Sequence, residues 1–275
     1  LWKLAEAEGA SGPYVRNDRT VPAGVTIGSV VSEERTLGLI DVDAIFGELP
    51  EGEAMPRAII GLDILRNYVI ELDFDRSVAG FTRSDAYTDF PAKGAIELER
   101  MSGLRLLRTK LDGVEALAVV DTGATSAVHL SVDFEGAVNL GRRPGSQTLV
   151  SSVAGIHQRP ITSLERVEFA GRTFADAPLT LSAEPLGNSI DAVIGMQLLG
   201  QFNLILDFAR SRMWMTPNAS FGTPVRRDRV GLHTMGDRLE DGSGVLVLVA
   251  PGSPAEKAGF KGGEIVKEIR DEAGA

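Results

Sequence analysis

The chain of 275 residues contains no cysteine, which excludes disulfides, thiolate nucleophiles and cysteine-based metal sites. It has only three histidines, scattered along the sequence, so we expect no metal site and no cofactor. No apolar run approaches the roughly 18 to 20 residues that a membrane-spanning helix needs. Acidic residues outnumber basic ones, and the net charge of -10 argues against nucleic acid or an anionic membrane as a partner.

A repeated segment divides the chain. The sequence AIIGLDILRNYVIELDFDRSVAGFT at 58–82 aligns without gaps with AVIGMQLLGQFNLILDFARSRMWMT at 192–216, an offset of 134 residues. Each copy reads as an apolar strand ending in glycine, a short amphipathic helix, and a strand that turns at Asp-Phe-x-Arg-Ser into another strand. Two homologous lobes are therefore predicted.

The region between the two copies favours an all-β lobe over 95–217. Turn dipeptides at Asp112-Gly113 and Ala170-Gly171 separate apolar or alternating runs, and helical periodicity is weak except near 196–201. The predicted strands are 95–99, 104–111, 115–120, 161–169 and 178–182. We interpret 1–84 as a first lobe, 84–94 as the connection between lobes, and 217–228 as a linker to a further unit at 229–275.

One stretch of the second lobe places an acid directly after a buried strand. In LAVVDTGATSAVHLS, residues 117–131, four apolar residues run into Asp121. An ionised carboxylate in this position is costly unless something pairs with it or uses it. One interpretation is an ordinary turn residue, because Asp-Thr-Gly is also common turn chemistry.

Together with the Gly-led helix at 192–199, this stretch resembles a retropepsin-like aspartic protease lobe. The resemblance spans about 95–217 and implies that Asp121 supplies one of two catalytic carboxylates. Such a pair shares one proton, so that one member acts as base on a water and the other as acid. The resemblance also implies support from the rest of the loop: Thr122, whose side chain would bond to the partner lobe, Gly123, Ala124 and Thr125. Gly195, which opens the helix, is interpreted as a packing glycine.

The second carboxylate of this pair is not evident in the sequence. Gly195 follows Asp121 by 74 residues, so the equivalent Asp of the first lobe would lie about 13 residues before Leu1. Neither Asp41, Asp43 nor Asp63 has the strand-Asp-[Thr/Ser]-Gly context. Three explanations remain: an upstream Asp, which we favour, a first lobe that never had one, or pairing across a homodimer.

Retropepsin-like lobes also carry a hairpin flap after the catalytic loop. Here the resemblance points to SSVAGIHQRP at 151–160, with Ser152, Val153, Ala154 and Gly155 near the tip. Such a flap excludes water and binds the substrate backbone. The other interpretation is an ordinary surface hairpin. His129 and His157 are expected to be structural or exposed rather than catalytic.

The last segment resembles the opening half of a PDZ domain of the kind fused to bacterial proteases. It contains a predicted strand at Val245 to Val249 and a helix that starts at Pro254 with Ser253 as its cap. The resemblance implies a loop whose backbone N–H groups bind the C-terminal carboxylate of a peptide. The residues at that position are Gly231, Leu232, His233 and Thr234.

The sequence as a whole predicts a mainly β aspartic endopeptidase of two retropepsin-like lobes, followed by a partial PDZ domain of α+β type. Its partners would be a peptide or protein substrate and a C-terminal peptide ligand, and it would be a monomer or a homodimer. We expect a bacterial, exported, periplasmic protein, and any signal region would precede Leu1. The alternatives are a non-catalytic scaffold that binds peptides through its PDZ unit, and a self-cleaving homodimer.

Overall fold

In a computed structural model, strands dominate the chain, which confirms the mainly β prediction. The structure describes residues 8–9, 12–13, 20–24, 26–27, 30–31, 35–38, 59–101, 103–140, 143, 145–152, 155–187, 189–225, 228–235 and 244–268. The helices are α1 (Leu62–Leu65), α2 (Met196–Leu199), α3 (Pro254–Lys257) and a 3-10 helix at Val132–Val138. None of the helices in these ranges is long and apolar enough to cross a membrane.

The described strands form three larger sheets and three two-stranded pairs. In chain order they are β1 (Glu8–Gly9), β2 (Gly12–Pro13), β3 (Thr20–Ala23), β4 (Thr26–Ile27), β5 (Val30–Val31), β6 (Arg35–Gly38), β7 (Tyr68–Asp73), β8 (Val78–Arg83), β9 (Ile96–Glu97), β10 (Glu99–Met101), β11 (Leu104–Leu111), β12 (Val114–Val120), β13 (Val128–Leu130), β14 (Ser146–Ser152), β15 (Gly155–Phe169), β16 (Arg172–Leu181), β17 (Ala192–Ile194), β18 (Phe202–Asp207), β19 (Arg212–Pro217), β20 (Leu232–Met235), β21 (Val245–Val249) and β22 (Ile265–Val266). Asp41 and Asp43 lie outside the described residues.

An eight-stranded sheet forms the body of the region 95–217. Its strand order is β10-β11-β12-β17-β13-β16-β15-β14, and β11 also pairs with β15, so the sheet folds back on itself. The predicted turns at Asp112-Gly113 and Ala170-Gly171 are confirmed: all four residues have positive φ, between 51° and 84°. Two consecutive residues of this kind give the tight hairpin turn whose twist matches that of the strands. These turns set the register of β11–β12 and of β15–β16.

The two copies of the repeated segment carry the same elements at the offset of 134 residues. Helices α1 and α2, strands β7 and β18, and strands β8 and β19 begin and end at equivalent positions. Ser77 and Ser211 both adopt left-handed backbone conformations, with φ of 53° and 56°. In each copy an aspartate, Asp73 or Asp207, accepts a hydrogen bond from the backbone N–H of the arginine three residues later.

The copies meet in a five-stranded sheet of order β8-β7-β18-β19-β9. Strands β7 and β18 are antiparallel, with Glu71 opposite Ile205, which is its equivalent in the repeat. The flanking pairs, Leu72 with Leu204 and Ile70 with Leu206, exchange under the same offset. The register of this strand pair therefore follows a local two-fold relation.

The segment 84–94, predicted as a connection, packs closely on this sheet. Phe90 stacks on Trp214 with ring centroids 5.0 Å apart, and Tyr87 donates a hydrogen bond of 2.9 Å to Glu71. Burial and this hydrogen bond raise the pKa of the Tyr87 hydroxyl. Arg210 also donates to the carbonyl of Ser84 at 2.9 Å. The connection is thus anchored at several points along its length.

The C-terminal unit contains a three-stranded sheet of order β20-β21-β22 and the helix α3. The predicted strand Val245–Val249 and the predicted helix start are both confirmed. Ser253 accepts a hydrogen bond of 3.2 Å from the backbone N–H of Glu256, and Pro254 is the first helical residue. Gly259 follows the helix with φ of 98°, as is typical after a helix end.

The equivalent aspartates of the repeat lie in different surroundings and should differ in their importance for stability. Asp207 has a fully buried side chain, 3.1 Å from Arg210 and 3.2 Å from Arg212, whereas the Asp73 side chain is 32% exposed and 3.8 Å from Arg76. Removing one member of a buried pair leaves the other uncompensated.

We expect Asp207→Asn to lower the free energy of unfolding by about 2 to 4 kcal/mol. The matched change Asp73→Asn should cost less than about 1 kcal/mol. Urea unfolding of both variants measures this difference, and equal losses would contradict it.

Candidate active site

Asp121 lies directly after β12, where the neighbouring strand holds its main chain. Strands β12 and β17 are parallel, with Val120 opposite Ile194. The backbone N–H of Asp121 donates to the carbonyl of Ile194 at 3.1 Å. Asp121 is half-buried. Its position is therefore set by the core of the eight-stranded sheet and not by the loop alone.

The loop that follows, residues 121–127, packs against the start of α2. The first backbone N–H groups of a helix have no partner within the helix, so they need other acceptors. Here the loop carbonyls supply them: Met196 N–H donates to Ala124 O at 2.8 Å, and Gln197 N–H donates to Ser126 O at 3.3 Å. Just before the helix, Gly195 N–H donates to the carbonyl of Ala127 at 3.0 Å.

Gly195 makes this contact possible because it has no side chain. A Cβ at this position would lie 2.4 Å from the carbonyl oxygen of Ser126 and 2.7 Å from that of Ala124. Both neighbours are backbone atoms, which cannot rotate away. This close approach supports the interpretation of Gly195 as a packing glycine.

One carboxylate oxygen of Asp121 is fixed and the other is available. Oδ1 accepts a hydrogen bond of 2.8 Å from the backbone N–H of Gly123, which closes a turn within the loop. A Cβ on Gly123 would lie 3.2 Å from the same oxygen, closer than ordinary contact. Within the described part of the chain, Oδ2 has no hydrogen-bond partner. This arrangement orients the carboxylate through Oδ1 and leaves Oδ2 without a partner among the described residues.

The surroundings of the loop are apolar on one side. A small cluster of Leu106, Leu186, Ile190 and Val193 packs against Ala124. Among the described residues, no group of three or more acidic or histidine side chains could hold a metal ion.

The two threonines of the loop lie at the surface. Thr122 and Thr125 are exposed, and neither makes a hydrogen bond to a described residue. The bond that was predicted from Thr122 to the partner lobe is therefore not seen in these ranges. Residues 39–58, which precede the first-lobe equivalent of the α2 region, lie outside the described residues.

The hairpin predicted around Ser152 and Gly155 is present. Strands β14 and β15 pair from Ser146 opposite Ile161 to Ser152 opposite Gly155. The tip residues Val153 and Ala154 lie outside the described residues. A role of this hairpin as a flap stays a prediction.

The predicted carboxylate loop of the C-terminal unit has a different arrangement. Leu232, His233 and Thr234 belong to β20, which pairs with β21, and only Gly231 precedes the strand. Gly231 has φ of 72°, and its N–H donates to the carboxylate of Asp228 at 2.8 Å. The Asp228 carboxylate thus binds one of the N–H groups that the resemblance assigns to a ligand, and the role of the loop as a whole stays a prediction.

Sequence reasoning missed two residues that contact this unit, Asp228 and Thr148. Thr148 Oγ1 donates to Asp228 Oδ2 at 2.7 Å and lies 3.2 Å from Nε2 of His233. A local signal for Asp228 was available, because an Asp two to three residues before a glycine often accepts hydrogen bonds from the following N–H groups. Nothing in the sequence marked Thr148.

His129 is structural, as predicted. Its Nδ1 lies 2.8 Å from Thr180 Oγ1 on the neighbouring strand. Burial, and to a smaller degree the charge of Arg159, lower the pKa of His129 to about 4. The imidazole is therefore neutral near pH 7 and is satisfied by its neighbour.

Comparison with known proteins gives matches among solved structures alone. No family model matches the chain, and no curated protein matches it. A retropepsin-like aspartic protease from Rickettsia conorii is 18% identical, over 44% of this chain and 88% of that chain, with a TM-score of 0.34. The EIAV protease in complex with the inhibitor HBY-793 is 16% identical, over 37% of this chain and 90% of that chain, with a TM-score of 0.30.

The tight contact at Gly195 predicts a large effect of a single added methyl group. Gly195→Ala should lower the free energy of unfolding by about 2 to 3 kcal/mol, because the backbone of the Asp121 loop must move to admit the Cβ. Gly136→Ala is the matched control, since a Cβ there meets nothing within 4 Å. It should change stability by less than about 1 kcal/mol. Urea unfolding tests both, and an unperturbed Gly195→Ala would refute the contact.

The lowered pKa of His129 predicts a loss of stability in mild acid. Since the folded pKa of about 4 lies below the ordinary 6.5, the unfolded chain binds the proton first, and stability falls as pH drops from 6.5 toward 4. Between pH 7 and pH 4 this single group should account for about 3 kcal/mol. His129→Asn keeps a polar partner for Thr180 without titrating, so its unfolding free energy should fall by that much less. Equal pH slopes for the two proteins would contradict the assignment.

Proposed function

We propose that this chain carries one half of the active site of an aspartic endopeptidase, with Asp121 as a catalytic carboxylate. The observation that carries the proposal is the way in which the structure holds the Asp121 side chain. It is half-buried at the end of β12, its main chain is held by Ile194, and one oxygen is fixed by Gly123 while the other has no partner among the described residues. A carboxylate held in this way can act on a bound water without a large loss of conformational freedom.

The proposed reaction needs a second carboxylate beside Asp121. Two carboxylates a few ångströms apart share one proton. The ionised member takes a proton from a water, the water oxygen attacks the peptide carbonyl carbon, and the protonated member gives its proton to the carbonyl oxygen. The tetrahedral intermediate then breaks at the C–N bond, with proton transfer to the leaving amine. Because the pair titrates as a unit, the two pKa values belong to the dyad.

We propose that the second carboxylate comes from a first lobe related to the second by the repeat. The equivalent boundaries of the repeated elements and the two-fold register of β7 against β18 support this arrangement. The position equivalent to Asp121 falls before Leu1, where we propose an Asp-[Thr/Ser]-Gly sequence. The hairpin β14–β15 would serve as the flap over a peptide substrate.

We further propose that the C-terminal unit is a PDZ-like module. Its strand Val245–Val249 and the capped helix that follows support this assignment. A module of this kind would recruit protein substrates or control their access.

One observation favours a second candidate function, a protease-like scaffold that performs no hydrolysis. Within the described residues, the Asp121 carboxylate makes one hydrogen bond, the turn contact with the N–H of Gly123, which a non-catalytic turn residue would also make. A scaffold would use its peptide-binding surfaces and would not need a dyad. The two functions differ in whether the full-length protein cleaves peptides.

Asp121→Asn in the full-length protein tests the proposal directly. It preserves the size of the side chain but cannot share a proton, so peptide hydrolysis should fall by at least about 100-fold. Hydrolysis of a mixed library of fluorogenic peptides measures this, and the wild-type rate should show a bell-shaped dependence on pH. Asp176→Asn, at an exposed position with a left-handed backbone that Asn also adopts, should leave the rate unchanged.

Two results would contradict the protease assignment. Asp121→Asn with wild-type turnover would remove Asp121 from the reaction. A wild-type protein that neither cleaves the library nor binds a statine-type transition-state analogue would favour the scaffold, since such analogues bind a working dyad tightly.

A further inference from the structure

The outer edge of the hairpin β14–β15 is covered by the C-terminal unit. Strand β14 is the last strand of the eight-stranded sheet, so one row of its N–H and C=O groups has no strand partner. The N–H of Leu149 on this edge donates to Nε2 of His233 at 3.1 Å. The carbonyl of Gln147 lies 3.1 Å from the place where a Cβ on Gly231 would be. The segment 228–233 thus follows the free edge of β14.

A partly buried hydrogen-bond network joins the two parts. Asp228 Oδ1 accepts from the N–H groups of Val230 at 2.9 Å and Gly231 at 2.8 Å. Its Oδ2 accepts from Thr148 Oγ1 at 2.7 Å and lies 3.1 Å from His233 Nε2. Thr148 is 4% exposed, so water cannot readily replace its bond to Asp228. Burial by itself would raise the pKa of Asp228, but the hydrogen bonds from Gly231, Thr148 and Val230 together lower it.

Nε2 of His233 accepts or donates according to whether it carries a proton. Leu149 N–H can donate to Nε2 only when that nitrogen carries no proton. Thr148 then gives its hydroxyl proton to Asp228, which is consistent with the short distance between them. Asp228 is the charged group in contact with Nε2 among the described residues. With Nε2 unprotonated, His233 accepts from the hairpin backbone at Leu149; with Nε2 protonated, it donates to Asp228 Oδ2 instead.

The second strand of the hairpin also contacts the C-terminal unit. Gln158 on β15 donates from Nε2 to the carbonyl of Pro251 at 3.2 Å, and it lies 3.3 Å from Oε1 of Gln147 on β14. A Cβ on Gly252 would lie 3.7 Å from the side chain of Gln147. Both strands of the hairpin are therefore tied to the same unit, before their pairing reaches the tip.

We infer that Asp228 and His233 are positioning residues for the hairpin, which they hold from outside through Thr148 and Leu149. The inference rests on the proposed function in one respect, namely that the hairpin closes over a substrate at Asp121. The physical basis is independent of it: an edge strand gains fixed partners for its backbone, and the movement of the hairpin becomes coupled to the C-terminal unit. Substrate binding would then depend on residues that never touch the substrate.

Hydrogen exchange at the Leu149 amide, followed by NMR on the chain itself, tests the contact without any activity. His233→Leu removes the acceptor and should speed exchange at Leu149 by about tenfold, the equivalent of losing one hydrogen bond. His233→Gln can present an oxygen in place of Nε2 and should restore slow exchange. Lys257→Gln, on an exposed face of α3, is the matched control and should exchange like the wild type.

Thr148→Val provides a second route if His233→Leu does not fold. It keeps the shape of a buried branched side chain, removes the hydroxyl that binds Asp228, and should also speed exchange at Leu149. Unchanged exchange in a folded His233→Leu or Thr148→Val protein would overturn the contact.

The positioning role is tested by steady-state kinetics of the full-length protein. His233→Leu should raise KM for peptide substrates by about tenfold with kcat changed less, while His233→Gln restores KM. A merely structural role would lower the active fraction and leave KM as it was. Faster exchange with unchanged KM would therefore overturn the positioning role. Absence of hydrolysis by the wild type would count against the proposed protease, and the exchange result would still decide whether the contact exists.

Discussion

The position of Asp121 depends on a contact between two stretches of backbone that only a glycine permits. Gly195 brings the start of α2 against the carbonyls of Ala124 and Ser126, and these carbonyls accept the first N–H groups of the helix. The loop and the helix thus satisfy each other's polar groups, which would otherwise be left unpaired near the core. The helix holds the loop on one side and Ile194 holds it on the other. The main chain of Asp121 is therefore fixed relative to the sheet.

Equivalent aspartates of the repeat differ in burial because their neighbours in the fold differ. Asp73 and Asp207 make the same turn contact with the backbone, so that contact alone does not explain why Asp207 is fully buried. The difference comes from Arg212, which stands over the rings of Phe90 at 4.9 Å and Trp214 at 5.0 Å. The connecting segment supplies Phe90, which packs on Arg212 and Trp214 beside the second copy of the turn. A charged pair can be buried there because the aromatic rings also stabilise the guanidinium.

Local chemistry made much of the fold predictable from the sequence. The glycine turns at 112–113 and 170–171, the capped helix after Ser253 and the strand 245–249 each depend on residues within a few positions of one another. The helix after Gly195 ends at Leu199, shorter than the pattern at 196–201 suggested, because Gly200 and Gln201 lead directly into β18. The polar network at the hairpin could not be predicted in this way. Thr148 and Asp228 are 80 residues apart, and only the packing of the C-terminal unit on β14 brings them together.

The proposed chemistry and the stability of the fold place different demands on pH. A shared-proton dyad requires that one carboxylate keep its proton, which mild acid favours. His129 has the opposite requirement, since its buried imidazole on β13 must stay neutral and its contribution weakens as the pH falls below 6.5. Asp121 and His129 are held by the same sheet, because β12, which precedes Asp121, and β13, which contains His129, each pair with β17. Mild acid would therefore favour the shared proton of the dyad while it weakens the sheet that holds Asp121 through the protonation of His129.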